Sequence, residues 1–354
     1  MIAGGGTGGH LFPGLAVAEE ARRQDPTGAV LFVGSARGIE ARVVPATGLA
    51  LELLPVAPLR GRGARDRAAA LAALVRSVVR ARALVRRFAP DAVIGLGGYA
   101  SAPAVIAARL ARRPIVLLEQ NAAPGMTTRL LARIADRVCV SFPETVDALP
   151  AGKAVLTGNP VRWRPAPDAG AARGGRTILV FGGSAGAHRL NEAGPEMAAA
   201  LGDLPGLRIV HQSGADDEAA VRAAYRRRGV DAEVHAFITD MDRAYAAADL
   251  VVCRAGATTL AELAALGKPA VLVPYPYAAD DHQRANAASR VGAGAARMVL
   301  DAEASGTRLA AEVRALLADG AALAEMGRRM RSLGRPEAAA RVLEVVRDLG
   351  GREG

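Results

Sequence analysis

The stretch "GGGTGGHLFPGLAVAEE", residues 4–20, sets five glycines around Thr7 and then places His10 at the head of an amphipathic run. A second stretch, "VFGGSAGAH" at 180–188, repeats the plan. Glycines let backbone N–H groups turn toward an anion, and the helix that follows adds a partial positive charge at its N-terminus. Each turn follows a short apolar run, so each reads as strand, turn, helix. Two such units predict two parallel-sheet halves. The first turn also spells G-x-G-x-x-G through Gly4, Gly6 and Gly9, the dinucleotide fingerprint, but carries no P-loop lysine. A plain tight strand-to-helix turn is the alternative for both.

Working outward, short apolar runs alternate with helical stretches. Strands are expected at 1–3, 30–34, 52–55, 92–95, 115–118 and 137–140, and helices at 13–24, 37–46, 66–88, 102–111 and 125–134. The Pro-, Gly- and Ala-rich segment around 161–176 breaks the rhythm and reads as a linker. The alternation then restarts with strands at 177–181, 207–211, 233–235, 250–253 and 270–273. Helices lie between them at 187–201, 216–228, 241–247, 258–266 and 281–291, and a charged helical tail runs over 301–348. The βαβα order predicts an α/β protein of two Rossmann-like parallel-sheet domains facing across a cleft. Their expected bounds are 1–160 and 177–335, with a helix at about 336–350 packing back on the first. The first strand is short for a central parallel strand, so the natural start is expected upstream of Met1.

Composition narrows the classes. The chain has 354 residues and a formal charge of +10, and only Lys153 and Lys268 of its 45 basic residues are lysines. Such charge suits phosphorylated substrates or an anionic membrane surface. Aromatics make up 3% and no RNA-binding motif appears, so no nucleic acid partner is expected. There is no apolar run of membrane-spanning length and no signal peptide, which places the protein in the cytoplasm. Cys139 and Cys253 lie in separate apolar runs and read as buried thiols.

Three local readings bear on function. First, a nicotinamide enzyme sets an acid at the end of its second strand, whereas "VLFVGSARG" (30–38) ends without one. Arg37 keeps an NADP reading open. Second, "VVCRAGATTLAELAALGKPAVLVPYP" (251–276) predicts a strand, a turn at Ala255–Gly256 and a helix near Thr258. Glu262 then either accepts hydrogen bonds from the two hydroxyls of a ribose or completes a capping box with Thr258 or Thr259. "DDHQRANA" (280–287) sets His282 and Gln283 at a further helix start, suited to sugar hydroxyls or to a solvated cap. Third, the helix over 64–88 mixes Leu71, Leu74, Val75, Val78, Val79, Val85 and Phe88 with seven arginines. That is the composition of an interfacial helix on an anionic leaflet, or of an ordinary surface helix.

Taken together, GGTGGHLFPGLAVA, LRGRG, GLGGYASAP, EQNAAPG, GNPVR, GGSAGA, HQSG, FITDM, CRAGATTLAE and HQRANA run in order from residue 5 to about 290. In these strings the chain resembles the MurG family of bacterial glycosyltransferases. The resemblance implies the GT-B architecture and inverting transfer of N-acetylglucosamine from UDP-N-acetylglucosamine to the 4-hydroxyl of lipid I, making lipid II for peptidoglycan. It implies no cofactor, and with no Asp-x-Asp motif standing where a glycosyltransferase would hold magnesium, no metal is expected. It places donor contacts on Thr7, Gly8, Gly9, Asn121, Arg162, Ser184 and Ile238, on Ala257, Thr258, Thr259, Leu260, Ala261 and Glu262, and on Gln283. Ile238 would meet uracil and Glu262 the ribose. His10 is the candidate base, with a structural role as its alternative, and Glu119 the second catalytic candidate. The location implied is peripheral, on the cytoplasmic face of the membrane. The chain departs from the family at Leu118, Ala185 and Ala255, where His, Gln and Ser are common.

Overall fold

The computed structural model describes residues 1–36, 38–56, 64–162, 176–183 and 186–350, with 64–70 described by backbone only. The expected linker at 161–176, the LRGRG string, Arg37, Ser184 and Ala185 therefore lie mostly or wholly outside the described residues. The chain divides into two compact units, Met1–Arg162 with Arg335–Gly354, and Trp163–Gly334.

In the first unit the strands are β1 (Ile2–Ala3), β2 (Leu31–Ser35), β3 (Ala50–Leu54), β4 (Val93–Gly95), β5 (Ile115–Glu119), β6 (Arg137–Val140) and β7 (Ala154–Leu156). The helices between them are α1 (Gly8–Gln24), α2 (Glu40–Ala46), α3 (Ala64–Phe88), α4 (Gly98–Leu110) and α5 (Met126–Leu131). All seven strands are parallel, in the order β3-β2-β1-β4-β5-β6-β7. The apolar runs form buried strands because helices cover both sheet faces, so neither face of a strand needs to be polar. One core lies on the side of Val33, Val93, Leu117 and Val138, the other on the side of Phe32, Ile94, Val116 and Leu118.

The second unit runs β8 (Arg176–Phe181), α6 (His188–Ala200), β9 (Leu207–Gln212), α7 (Glu218–Arg227), β10 (Ala232–His235), α8 (Met241–Ala247), β11 (Leu250–Cys253), α9 (Ala257–Leu266), β12 (Ala270–Leu272), α10 (His282–Gly292) and β13 (Ala296–Met298). Helices α11 (Gly306–Ala318) and α12 (Gly320–Ser332) follow. Its six strands are again parallel, ordered β10-β9-β8-β11-β12-β13. The last helix, α13 (Ala338–Gly350), belongs to the first unit and packs against α1, where Arg347 reaches Gln24 at 2.7 Å.

Two helix starts and two strands differ from expectation. Helices α1 and α4 begin at Gly8 and Gly98, ahead of the expected 13 and 102. The added first turns are glycine-rich in α1 and begin with Gly98 in α4, and glycine's low helix propensity hides such turns in the sequence. Strands β7 and β13 carry no clear signal, since each is three residues at the end of its sheet. Both cysteines are buried and unpaired, and desolvation raises both thiols, that of Cys139 to about 12.

Candidate active site

In an open parallel sheet, loops diverge where the strand order reverses, and that point is the usual place for a ligand. In the first unit it falls between β1 and β4, in the second between β8 and β11. Both glycine turns noticed in the sequence leave from these strands.

The first turn carries Gly4, Gly5 and Gly6 at φ +145°, +149° and +89°. Thr7 caps α1 in extended conformation, and its Oγ1 lies 3.2 Å from His10 Nδ1. His10 thus sits in the first turn of α1, half-buried. Its ring lies against the turn after β4. A Cβ on Gly97 would stand 3.3 Å from His10 Cδ2, and one on Gly98 3.8 Å from His10 Cε1. Both glycines have positive φ, +84° and +66°. Two residues without side chains therefore leave one face of the imidazole room beside it, which the strings "GGTGGH" and "GLGGYASAP" conceal by lying almost ninety residues apart.

Glu119 closes β5 and is buried. One carboxylate oxygen accepts from the Asn121 backbone N–H at 3.0 Å and side-chain amide at 3.3 Å, the other from Gly125 N–H at 3.1 Å. Gln120 donates to Leu96 O at 3.0 Å, tying this loop to the β4 turn. Arg162, at the end of the unit, pairs with Glu19 of α1 at 2.6 Å. Leu118 is buried within β5, so it contributes packing.

In the second unit, α9 starts directly after Gly256, with no side-chain cap. Thr258 Oγ1 is buried with no hydrogen-bond partner among the described residues. Glu262 does not complete a capping box. It stands six residues into the helix and accepts a 2.8 Å bond from the Tyr245 hydroxyl of α8. Desolvation pushes its carboxyl up to about 7, helped by the charge of Asp242 and opposed by the Tyr245 bond. Tyr245 is itself buried, edge-on to Phe181 at 6.0 Å.

Gln283 Oε1 accepts from Ala255 N–H at 3.2 Å and Tyr275 N–H at 3.0 Å, and Asn286 donates to Ala255 O at 3.1 Å. Ala255 therefore serves through its backbone, and a serine hydroxyl is not needed for these contacts. Ile238 N–H donates to Gln212 Oε1 at 2.8 Å, and Gln212 Nε2 donates to Gly183 O at 2.8 Å. This buried amide joins the second glycine turn to the Ile238 loop. Gln212 and Tyr245 were not read as site residues from the sequence. The HQSG string was the only signal for the first, and nothing local marks the second.

Among the described residues, no group of three His, Cys, Asp or Glu side chains converges as a metal site would require. Asp280 and Asp281, both exposed and at positive φ, lead into α10.

Residues 1–140 match the N-terminal domain and residues 177–342 the C-terminal domain of glycosyltransferase family 28. Over 353 residues the chain is 48% identical to a protein of Geobacter sulfurreducens named UDP-N-acetylglucosamine–N-acetylmuramyl-(pentapeptide) pyrophosphoryl-undecaprenol N-acetylglucosamine transferase. That match covers 98% of this chain and 97% of the relative. The crystal structure of Acinetobacter baumannii MurG superposes with a TM-score of 0.81 at 34% identity, covering 98% of both chains. A UDP-GlcNAc 2-epimerase of Neisseria meningitidis, solved bound to UDP-GlcNAc, shares the fold with a TM-score of 0.68 at 12% identity and 98% coverage of each chain. The two all-parallel domains are those of the GT-B class, and the chain belongs to glycosyltransferase family 28.

Proposed function

We propose that this protein transfers N-acetylglucosamine from UDP-N-acetylglucosamine to the 4-hydroxyl of the muramyl sugar of lipid I, giving lipid II. The observation that carries the reading is His10. It is a half-exposed imidazole in the first turn of a helix, held by Thr7 and set against two bare glycines at a sheet switch point. An imidazole titrates near neutral pH, which suits a base for a sugar hydroxyl.

On this reading His10 takes the 4-hydroxyl proton as that oxygen attacks the anomeric carbon. The bond to the UDP oxygen breaks on the opposite face, which inverts the centre. The electron pair leaves with UDP, whose charge the N-terminus of α9, Ser184 and Arg162 would meet. Thr7, Gly8, Gly9 and Asn121 flank the transferred sugar, and Gln283 reads its hydroxyls. The α9 start, Ala257 to Ala261, faces the diphosphate, and Glu262 accepts from the ribose. Because an amide already holds Ile238 N–H, uracil would meet the Ile238 carbonyl unless Gln212 gives way. Glu119, expected as a second catalytic group, has its carboxylate oxygens engaged by its own loop, so its part is to place Asn121. The reaction needs no cofactor and no metal.

Acceptor-dependent UDP release from UDP-N-acetylglucosamine, measured with a soluble lipid I analogue, tests the reading. Release should require the analogue and persist in EDTA. An intact protein that binds UDP but releases none with the analogue would mean that the acceptor is wrong.

We further propose peripheral attachment to the cytoplasmic leaflet through α3. Ser77, Ala81 and Val85 face the core, while Leu71, Val75 and Val79 form an exposed stripe at 58%, 56% and 65%. Arg76, Arg80, Arg82, Arg86 and Arg87 are exposed beside it. No described helix is long and apolar enough to cross a membrane. Replacing Arg76 and Arg80 with glutamate should weaken binding to anionic vesicles by about 1 kcal/mol per arginine lost, and more with the added repulsion. Unchanged sedimentation with phosphatidylglycerol vesicles would rule out this surface.

A further inference from the structure

We propose that Glu40 is a positioning residue of the transfer reaction, its carboxylate serving as a built-in anion that sets the first glycine turn. The inference rests on the transferase reading above.

The sequence showed no acid at the end of β2, yet the structure places one there. Glu40 opens α2, fully buried, and folds back over the loop. One of its oxygens accepts from Ser35 N–H at 2.8 Å and Ser35 Oγ at 2.9 Å. The other accepts from Gly6 N–H at 2.7 Å. Gly5, Gly34 and Gly38 all make room for it, since a Cβ at any of the three would collide with the Glu40 side chain. Three glycines, from the first turn, from β2 and from the loop after it, thus enclose one carboxylate.

Two consequences follow. Gly6 is the central glycine of the G-x-G-x-x-G spelling, and in a dinucleotide-binding turn the backbone there approaches a pyrophosphate. Here the protein's own carboxylate has taken that N–H and put a negative charge beside it. The turn is closed to a pyrophosphate at Gly6, which removes the physical basis for a nicotinamide reading. Gly8 and Gly9, at the start of α1, carry no such carboxylate contact among the described residues, and Gly9 is exposed. The second consequence is rigidity. The run from Gly4 to Gly6 has almost no conformational preference of its own. A charge-assisted bond to Gly6 fixes the direction in which Thr7 leaves the turn, and so where His10 stands against Gly97 and Gly98.

Glu40→Gln tests this in the full-length enzyme. Gln keeps the volume, but in either orientation its NH2 group faces a backbone N–H, so one side of the clamp must open. Misplacing a catalytic group by about 1 Å costs up to about 100-fold. The kcat for acceptor-dependent UDP release should fall about 10- to 100-fold per folded molecule. Thermal stabilisation by UDP should be unchanged, because Glu262 and the α9 start belong to the other unit, and the KM for UDP-N-acetylglucosamine, whose sugar Thr7, Gly8 and Gly9 flank on this reading, should rise by less than kcat falls. Ser35→Ala removes one of the three bonds and provides a milder variant should Glu40→Gln not fold. Its kcat should fall about 3-fold or more at nearly unchanged melting temperature. A folded Glu40→Gln, or failing that a folded Ser35→Ala, with wild-type kcat would overturn the proposal. A wild-type enzyme that releases no UDP with the analogue would instead sink the transferase reading, and this inference with it.

Discussion

His10→Ala is expected to lower acceptor-dependent UDP release by about 10²- to 10⁴-fold, the usual contribution of a positioned general base. Binding of the nucleotide itself should be untouched. His10 lies in the first unit, and the Tyr245–Glu262 pair, Gln283 and the α9 start lie in the second. UDP should therefore raise the melting temperature of the variant as much as that of the wild type. The fold should also survive, since His10 is half-buried and its ring lies beside two glycines rather than inside a core cluster. A variant that keeps more than about a tenth of wild-type kcat would return the imidazole to the role of a helix-start contact for Thr7. His10→Asn separates the two roles, because its amide can still bond Thr7 but cannot take a proton at neutral pH.

Glu262→Gln should separate stability from binding, with opposite signs. In the folded protein the carboxyl titrates near 7, above its ordinary value of 4.5, because desolvation outweighs the Tyr245 bond. A raised carboxyl favours the folded state fully below about 4.5 and loses that contribution as pH rises through 7. At pH 8 the unliganded wild type therefore carries the cost of a desolvated charge that the glutamine variant lacks, and the variant should melt higher. Donor binding should move the other way. An ionised carboxylate makes the stronger acceptor for ribose hydroxyls, and the loss of one such charge-assisted bond is worth about 1.5–3 kcal/mol. The KM for UDP-N-acetylglucosamine should rise about 10- to 100-fold in the variant at pH 8. In the wild type it should climb as pH falls through 7, while in the variant it stays flat. A pH-independent wild-type KM, with equal UDP stabilisation of both proteins, would remove Glu262 from the donor site.

The sequence by itself determined the repeated strand–turn–helix plan, the parallel class of both sheets and the residues around which a site could form. Those features rest on local physics. Buried parallel strands must be apolar on both faces, and glycine is the residue best suited to positive φ, as at Gly6. Residues 1–10 and 177–188 each carry both signals within a single short window. What only the tertiary structure decided is which partners those residues have. Gly97 and Gly98 stand beside His10 because β4, fourth in the chain, pairs with β1. Tyr245 reaches Glu262 across two helices, and Gln212 bridges two loops. Glu40 is the sharpest case. Five residues past the end of β2, it gave no local sign that its carboxylate would fill the first glycine turn. Strand order and long-range hydrogen bonds join residues far apart in the chain, and no spacing rule within one window encodes them.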